Sequence, residues 1–251
     1  MSKHSLSGKV VIVGGGAKNL GGLISRTFAA DGAKIIAHYN SAATRSDADK
    51  TVADIKAAGG DAIAVQGDFT KVDEVVKAFA AAKKHYGSID IAINTVGKVL
   101  KKPFAETTEA EYDSMAAINS KAAYFFMQEA GKQLNDGGKI CTIVTSLLAA
   151  YTGLYSTYGG MKAPVEHFTR AASKEFGSRG ISVTAVGPGP MDTPFFYGQE
   201  TPEAVAYHKS ASALGGLTKI EDIVPLIKFL VTDGWWITGQ TIFANGGYTT
   251  R

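Results

Sequence analysis

Residues 9–22 read KVVIVGGGAKNLGG: a β-branched apolar run, a cluster of glycines, then helix-forming sequence. The run at 9–13 has the make-up of a buried strand, and the stretch at 20–31 has that of a helix. Glycines between them let the backbone turn tightly and bring its N–H groups to an anion, which a helix N-terminus also favours. A glycine cluster alone marks only a turn. Its place after the first strand and before a helix makes this one a nucleotide-phosphate turn.

Working outward, the same alternation continues to the end of the chain. Further strand-like runs lie at 34–39, 61–66, 89–94, 139–145, 181–186 and 240–244. Helix-like stretches lie at 48–58, 71–85, 109–135, 158–178 and 220–232. Strand and helix in turn predict an α/β fold, a doubly wound parallel sheet of seven strands with helices on both faces. The runs are apolar throughout rather than alternating, as strands covered on both faces are. Gly32, Gly59, Gly87, Gly137 and Gly180 follow helices, where a left-handed cap is wanted. No linker or repeat divides the chain, so a single Rossmann-like domain is expected over 1–251. The least regular stretch, 188–216, is expected to be a substrate loop.

Composition excludes several classes. Hydrophobic residues are 45% and charged residues 20%, as in a folded soluble domain. A net charge of +3, dispersed along the chain, points away from a nucleic-acid partner. The single cysteine, Cys141, allows no internal disulfide, and it reads as a small buried hydrophobe. No apolar stretch approaches the roughly 20 residues of a membrane span, and the opening run is too short for a secretory signal. A cytoplasmic location is expected. The five histidines lack metal-ligand spacing, so no metal is expected.

The chemistry-bearing residues come later. Thr145-Ser146 ends a strand-like run, and Tyr158-Gly159-Gly160-Met161-Lys162 opens a helix. Residues four apart on a helix share a face, so Tyr158 and Lys162 address one pocket. Free phenols titrate near ~10. An ammonium beside a phenol in a partly dry site favours the phenolate, and the tyrosine is then expected to exchange protons with an alcohol or carbonyl oxygen.

With these motifs in place, nearly the whole chain resembles the short-chain dehydrogenase/reductase family. The glycine turn fits the family's T-G-x-x-x-G-x-G, with Gly14 in the Thr place, Gly15 and Gly21 as outer glycines, and Asn19 replacing the middle one. Asn tolerates left-handed backbone angles better than other residues bearing side chains. The resemblance implies Tyr158 as general acid or base, Lys162 lowering its pKa and binding the nicotinamide ribose, and Ser146 holding the substrate oxygen. Thr145 is the competing hydroxyl. Asn119, on a long helix, matches the asparagine that positions a relay water.

The resemblance also implies a set of cofactor contacts. They are Gly15, Lys18, Asn19, Leu20 and Gly21 in the turn, then Asp68 and Phe69 of the Gly67-Asp68-Phe69-Thr70 segment. Asn94 and Gly97 come from a segment like N-N-A-G, and Pro188, Gly189, Met191 and Thr193 from one like N-P-G-x-x-x-T. NAD-preferring folds place an acid at the end of the second strand. Here the chain reads Tyr39-Asn40-Ser41, with no acid before Asp47. Lys18 stands where NADP-using members often carry a base, Asn40 and Ser41 offer hydrogen bonds, and NADP(H) is the expected cofactor. The alternative for Lys18 and Arg45 is that they are solvated surface charges.

An NADP(H)-dependent reduction of a carbonyl, or its reverse, is therefore expected, in a homodimer or homotetramer and with strand order 3-2-1-4-5-6-7. Tyr155, seven residues before Lys162, matches the spacing of the superfamily's enoyl reductases and is the first alternative. A cofactor-binding regulator without catalysis and a halohydrin dehalogenase are further ones; the retained Tyr158 speaks against the regulator, and Lys162 and the glycine turn against the dehalogenase. Lys98, Lys101 and Lys102 read as a solvated basic rim, Trp235 and Trp236 as core or subunit contact, and Phe195, Phe196 and Tyr197 as an aromatic wall for an apolar or ring-bearing substrate.

Overall fold

The computed structural model describes residues 4–250; residues 1–3 and 251 of the expected domain lie outside the described residues. Seven parallel strands form one sheet, as the alternating pattern predicts, in the order β3-β2-β1-β4-β5-β6-β7 that the resemblance implies. The strands are β1 (Val10–Gly14), β2 (Lys34–Tyr39), β3 (Asp61–Gln66), β4 (Ile91–Asn94), β5 (Lys139–Ile143), β6 (Ser182–Pro188) and β7 (Gln240–Ala244). β1, β4, β5 and β6 are buried along their whole length. The edge strands β3 and β7 are only half-buried, because a sheet edge has a neighbour on one side alone. The apolar reading of every run held for the centre of the sheet and not for its margins.

Helices α1 (Asn19–Ala30), α2 (Arg45–Ala57) and α3 (Val72–Tyr86) follow the first three strands. One face of the sheet packs against α1 and α9 (Ile220–Val231), burying Ile24, Phe28, Ile223 and Ile227 against Val11 and Ile35. The other packs against α3, α5 (Ala122–Gln133) and α6 (Ser156–Phe176), with Phe79, Phe126 and Val165 against Ile12 and Ala92. Fully burying one such side chain stabilises by about 1.5–3 kcal/mol, so both layers are strongly held.

Two expectations need correction. The helix expected over 109–135 is broken into α4 (Glu109–Met115), a wide π segment (Ala116–Lys121) and α5. Side-chain periodicity barely distinguishes 3.6 residues per turn from a single wider turn. The loop expected over 188–216 is not irregular throughout: it contains α7 (Pro194–Tyr197) and α8 (Pro202–Ala211). Thr201 caps α8 by accepting the Ala204 N–H at 3.2 Å. Short helices with no buried residues leave no hydrophobic period to read.

The chain turns from the β2–β3 side of β1 to β4 on the other side. In open α/β sheets, ligands bind beyond the carboxyl ends of the strands at such a switch point.

Candidate active site

A cleft of about 490 Å³ opens at the carboxyl ends of the strands, lined at one end by the glycine turn and at the other by Tyr158. That is a typical size for a small-molecule site.

At the first end, Gly15 (φ 73°) and Asn19 (φ 48°) hold left-handed angles, which glycine adopts freely and Asn best among the rest. Gly21 sits so close to the turn that a Cβ there would lie 2.1 Å from the Gly15 carbonyl oxygen. No side chain caps α1, and no acid stands in its first turn. Its leading N–H groups therefore have no partner within the helix and face a cleft that suits a phosphate. The donor set fits a dinucleotide pyrophosphate.

His38, the penultimate residue of β2, braces this turn. Its ring is 1% exposed. Nδ1 accepts the Gly15 N–H at 3.0 Å. Nε2 lies 2.7 Å from the Gly67 carbonyl, so it carries the proton and donates it. Phe69 stacks on the ring with centroids 3.5 Å apart. Burial holds the imidazole neutral by lowering its pKa to about 4. The sequence offered His38 only as a histidine without metal spacing; its register beside the turn was the unread signal.

At the other end, Lys162 is 3% exposed and donates from Nζ to the Ile143 carbonyl at 2.9 Å. Burial lowers its pKa to about 8. For Tyr158, burial pushes the phenol up to about 12, opposed by a hydrogen bond with Thr145. The downward shift expected from the Lys162 ammonium is not what this site produces: desolvation dominates, and the phenol keeps its proton at neutral pH. Thr145, rather than Ser146, is the hydroxyl bonded to Tyr158. Ser146 is 1% exposed and lines the same cleft, and its carbonyl accepts the Thr249 hydroxyl at 3.3 Å.

Of the residues singled out from sequence, Gly15, Lys18, Asn19, Leu20, Gly21, Asn40, Gly97, Ser146, Tyr158, Lys162, Pro188, Gly189, Met191 and Thr193 all line the cleft. Ser41, Asp68, Phe69, Asn94 and Asn119, also singled out from sequence, are not among the residues that line it. Asp68 accepts the Thr70 N–H at 3.1 Å and the Thr70 hydroxyl at 2.7 Å. Asn94 Oδ1 accepts the Val96 N–H at 3.0 Å. Asn119, wholly buried in the π segment, clasps the Lys98 backbone, donating to its carbonyl at 2.9 Å and accepting its N–H at 3.1 Å. A Cβ on Gly97 would sit 3.0 Å from Asn119 Oδ1 and 3.1 Å from Lys162 Nζ, so this loop is seated directly on both.

Lys18 pairs with Asp47 at 3.2 Å and Arg45 with Asp49 at 3.3 Å, all well exposed. Such pairs contribute about 1 kcal/mol at most, so Lys18 is free to exchange Asp47 for a phosphate. The basic rim is largely neutralised: Lys101 pairs with Glu200 at 2.5 Å and Lys102 with Glu111 at 2.8 Å. Phe195 and Phe196 line the cleft, whereas Tyr197 points outward and donates to Asp192 at 2.7 Å. Trp236 is 81% exposed and is not core. Cys141 is wholly buried, its thiol raised to about 12 by burial. Gln199, Glu200 and His208, inside the expected substrate loop but not singled out from sequence, and Tyr248, which sequence reasoning passed over, also line the cleft; nothing periodic marks them. Among the described residues, no helix is long and apolar enough to cross a membrane.

A parallel sheet with a phosphate-ready turn, and with half-buried Tyr158 and buried Lys162 in one cleft, defines a dinucleotide-dependent oxidoreductase. Residues 15–249 match the family model described as Enoyl-(Acyl carrier protein) reductase. A hydroxynaphthalene reductase-like protein, Arp2 of Metarhizium brunneum, is 34% identical over 98% of this chain and 97% of its own. A dehydrogenase from Burkholderia cenocepacia, solved with bound NADP, is 63% identical with a TM-score of 0.97, covering 100% of this chain and 97% of that one. A blue fluorescent protein from a metagenomic library, solved with NADPH, is 31% identical with a TM-score of 0.91, covering 98% and 100%. The chain belongs to the short-chain dehydrogenase/reductase family.

Proposed function

We propose that this chain reduces a carbonyl to an alcohol with NADPH, Tyr158 supplying the proton. The observation that carries the reading is geometric: the Tyr158 phenol, with Lys162 and Ser146, lines the same cleft as the uncapped N-terminus of α1. Bound NADPH supplies the hydride to the carbonyl carbon. Tyr158 gives its proton to the carbonyl oxygen, and the Thr145 and Ser146 hydroxyls stabilise the charge that develops there. Lys162, below its pKa of about 8, is an ammonium at neutral pH and offsets the phenolate left behind.

NADP(H) rather than NAD(H) is supported by the absence of an acid at the end of β2, by Lys18, Asn40 and Thr44 at that end of the cleft, and by the NADP and NADPH carried by two relatives. The Arp2 name and the Phe195–Phe196 wall favour a ring-bearing ketone. Assembly into a homodimer or homotetramer in the cytoplasm belongs to the same reading, and light scattering on the purified protein tests the assembly.

The family model's description favours a second reading, enoyl reduction with Tyr155 as the acid. Against it, the Tyr155 hydroxyl is committed to Glu200, and burial together with the Glu200 carboxylate raises its pKa further than that of Tyr158. Following NADPH oxidation on panels of aromatic ketones and enoyl thioesters separates the two. Carbonyl reduction predicts that Tyr158→Phe lowers ketone turnover about 10²–10⁴-fold, with Tyr155→Phe far milder. Enoyl turnover abolished by Tyr155→Phe alone would reverse the assignment, and NADPH binding without turnover on either panel would leave a cofactor-binding regulator.

A further inference from the structure

Near Tyr158, the same cleft carries a buried polar cluster that the chemistry above does not use. Its centre is Glu200, whose side chain is 1% exposed. Oε2 accepts the Lys101 ammonium at 2.5 Å, and Oε1 accepts the Tyr155 hydroxyl. His208 Nε2 lies 3.7 Å from Oε2, and His208 Nδ1 lies 2.7 Å from the Tyr248 hydroxyl. Tyr155, Glu200, His208 and Tyr248 all line the cleft.

The direction of each bond follows from chemistry. A carboxylate only accepts and an ammonium only donates, so Tyr155 must give its proton to Glu200. His208 does best with Nε2 protonated toward the carboxylate, since the other tautomer sets a lone pair against a negative charge. Nδ1 then accepts, and Tyr248 donates to it. Every proton in the cluster is thus directed toward Glu200. What the two phenols retain on the cleft side is lone pairs.

We propose that Glu200 turns this part of the pocket wall into a hydrogen-bond acceptor, selecting carbonyl substrates that carry a hydroxyl besides the reacting group. The inference deepens the carbonyl-reductase reading and rests on it. A hydroxylated ring ketone would donate to Tyr155 or Tyr248 while its carbonyl meets Tyr158. The analogue lacking that hydroxyl would leave buried lone pairs unmet, which is how polar sites reject deoxy analogues.

The test compares kcat/KM for α-tetralone and its ring-hydroxylated derivatives, with NADPH, in the wild type, Glu200→Gln, Tyr155→Phe and Tyr248→Phe. The wild type is expected to prefer the best hydroxylated ketone by about 10- to 100-fold. In Glu200→Gln the amide donates to Tyr155, its phenol proton turns into the cleft, and the preference falls toward unity. The single Phe variants keep the test open should the Gln variant not fold, and at least one of them loses the preference. Equal efficiency for both ketones in the wild type overturns the proposal alone. A preference that survives in every folded variant also overturns it, since selection then lies elsewhere. No turnover of either ketone, with no difference in their binding by calorimetry, overturns the proposal and the carbonyl-reductase reading together.

Discussion

At the residue scale, Lys162 holds a charge where the fold disfavours it. A pKa lowered from 10.5 to about 8 corresponds to about 3 kcal/mol of penalty on the ammonium. Between those two values the unfolded chain binds a proton that the folded chain does not, so this group's contribution to stability rises with pH; below 8 the penalty is felt in full. Lys162→Met is therefore expected to raise the melting temperature by several degrees at pH 7, even after losing the bond to the Ile143 carbonyl, worth about 1 kcal/mol. The gain should shrink as pH approaches 10, while turnover is lost. A melting series against pH checks it, and a variant less stable than wild type at pH 7 would refute it. Tyr158 makes the companion case. With a pKa of about 12, about one phenol in 10⁵ is ionised at pH 7, so reduction is served directly. Alcohol oxidation needs the phenolate, and its rate is expected to climb with pH across the alkaline range, while reduction falls above about pH 8 as Lys162 loses the proton that offsets the phenolate.

At the scale of elements, the turn between β1 and α1 depends on β2 and β3 through His38. Its pKa, lowered from 6.5 to about 4, means that stability from this group is present above pH 6.5 and is lost as pH falls through 4, a change of about 3 kcal/mol. Denaturant titrations at pH 7 and pH 4.5 should show this loss in the wild type and a smaller one in His38→Gln. An identical acid limb in both would show that other groups set it. Gly21→Ala drives a methyl into the Gly15 carbonyl. Overpacking of this kind costs about 1–3 kcal/mol, and NADPH affinity by fluorescence titration is expected to drop roughly tenfold or more. The π segment serves the site in the same indirect way. Its wider turn seats Asn119 where its amide grips both backbone groups of Lys98, and that grip presses Gly97 against Lys162.

Across the whole molecule, the site is assembled at the sheet's switch point from segments far apart in the chain. The lid carrying α7 and α8 is held on three sides. Lys101 donates its N–H to Gln199 at 3.2 Å and its ammonium to Glu200, the Pro190 and Thr218 backbones pair at 2.9 Å, and Tyr248 bonds His208. A ligand that binds only the folded chain stabilises it by about 2.7 kcal/mol at one hundred times its dissociation constant. NADPH is thus expected to raise the melting temperature, and NADH at equal concentration to raise it less. Equal shifts at matched concentrations would remove the cofactor preference.

What was legible beforehand is whatever local chemistry writes into neighbouring residues. Apolar runs at 9–13 and 34–39, the glycines of the turn, and two residues four apart on a helix each signal through short-range sterics and periodicity. They sufficed for a parallel α/β sheet, its single domain and the location of the cleft. Tertiary structure alone decided how those groups behave. The phenol of Tyr158 rises rather than falls because desolvation depends on everything packed around it. Thr145 reaches it before Ser146 because one rotation of a strand end chooses between adjacent hydroxyls. His38, Glu200 and Tyr248 acquire roles because chain segments 23 to 99 residues apart meet there, and no local pattern in a sequence encodes a contact of that range.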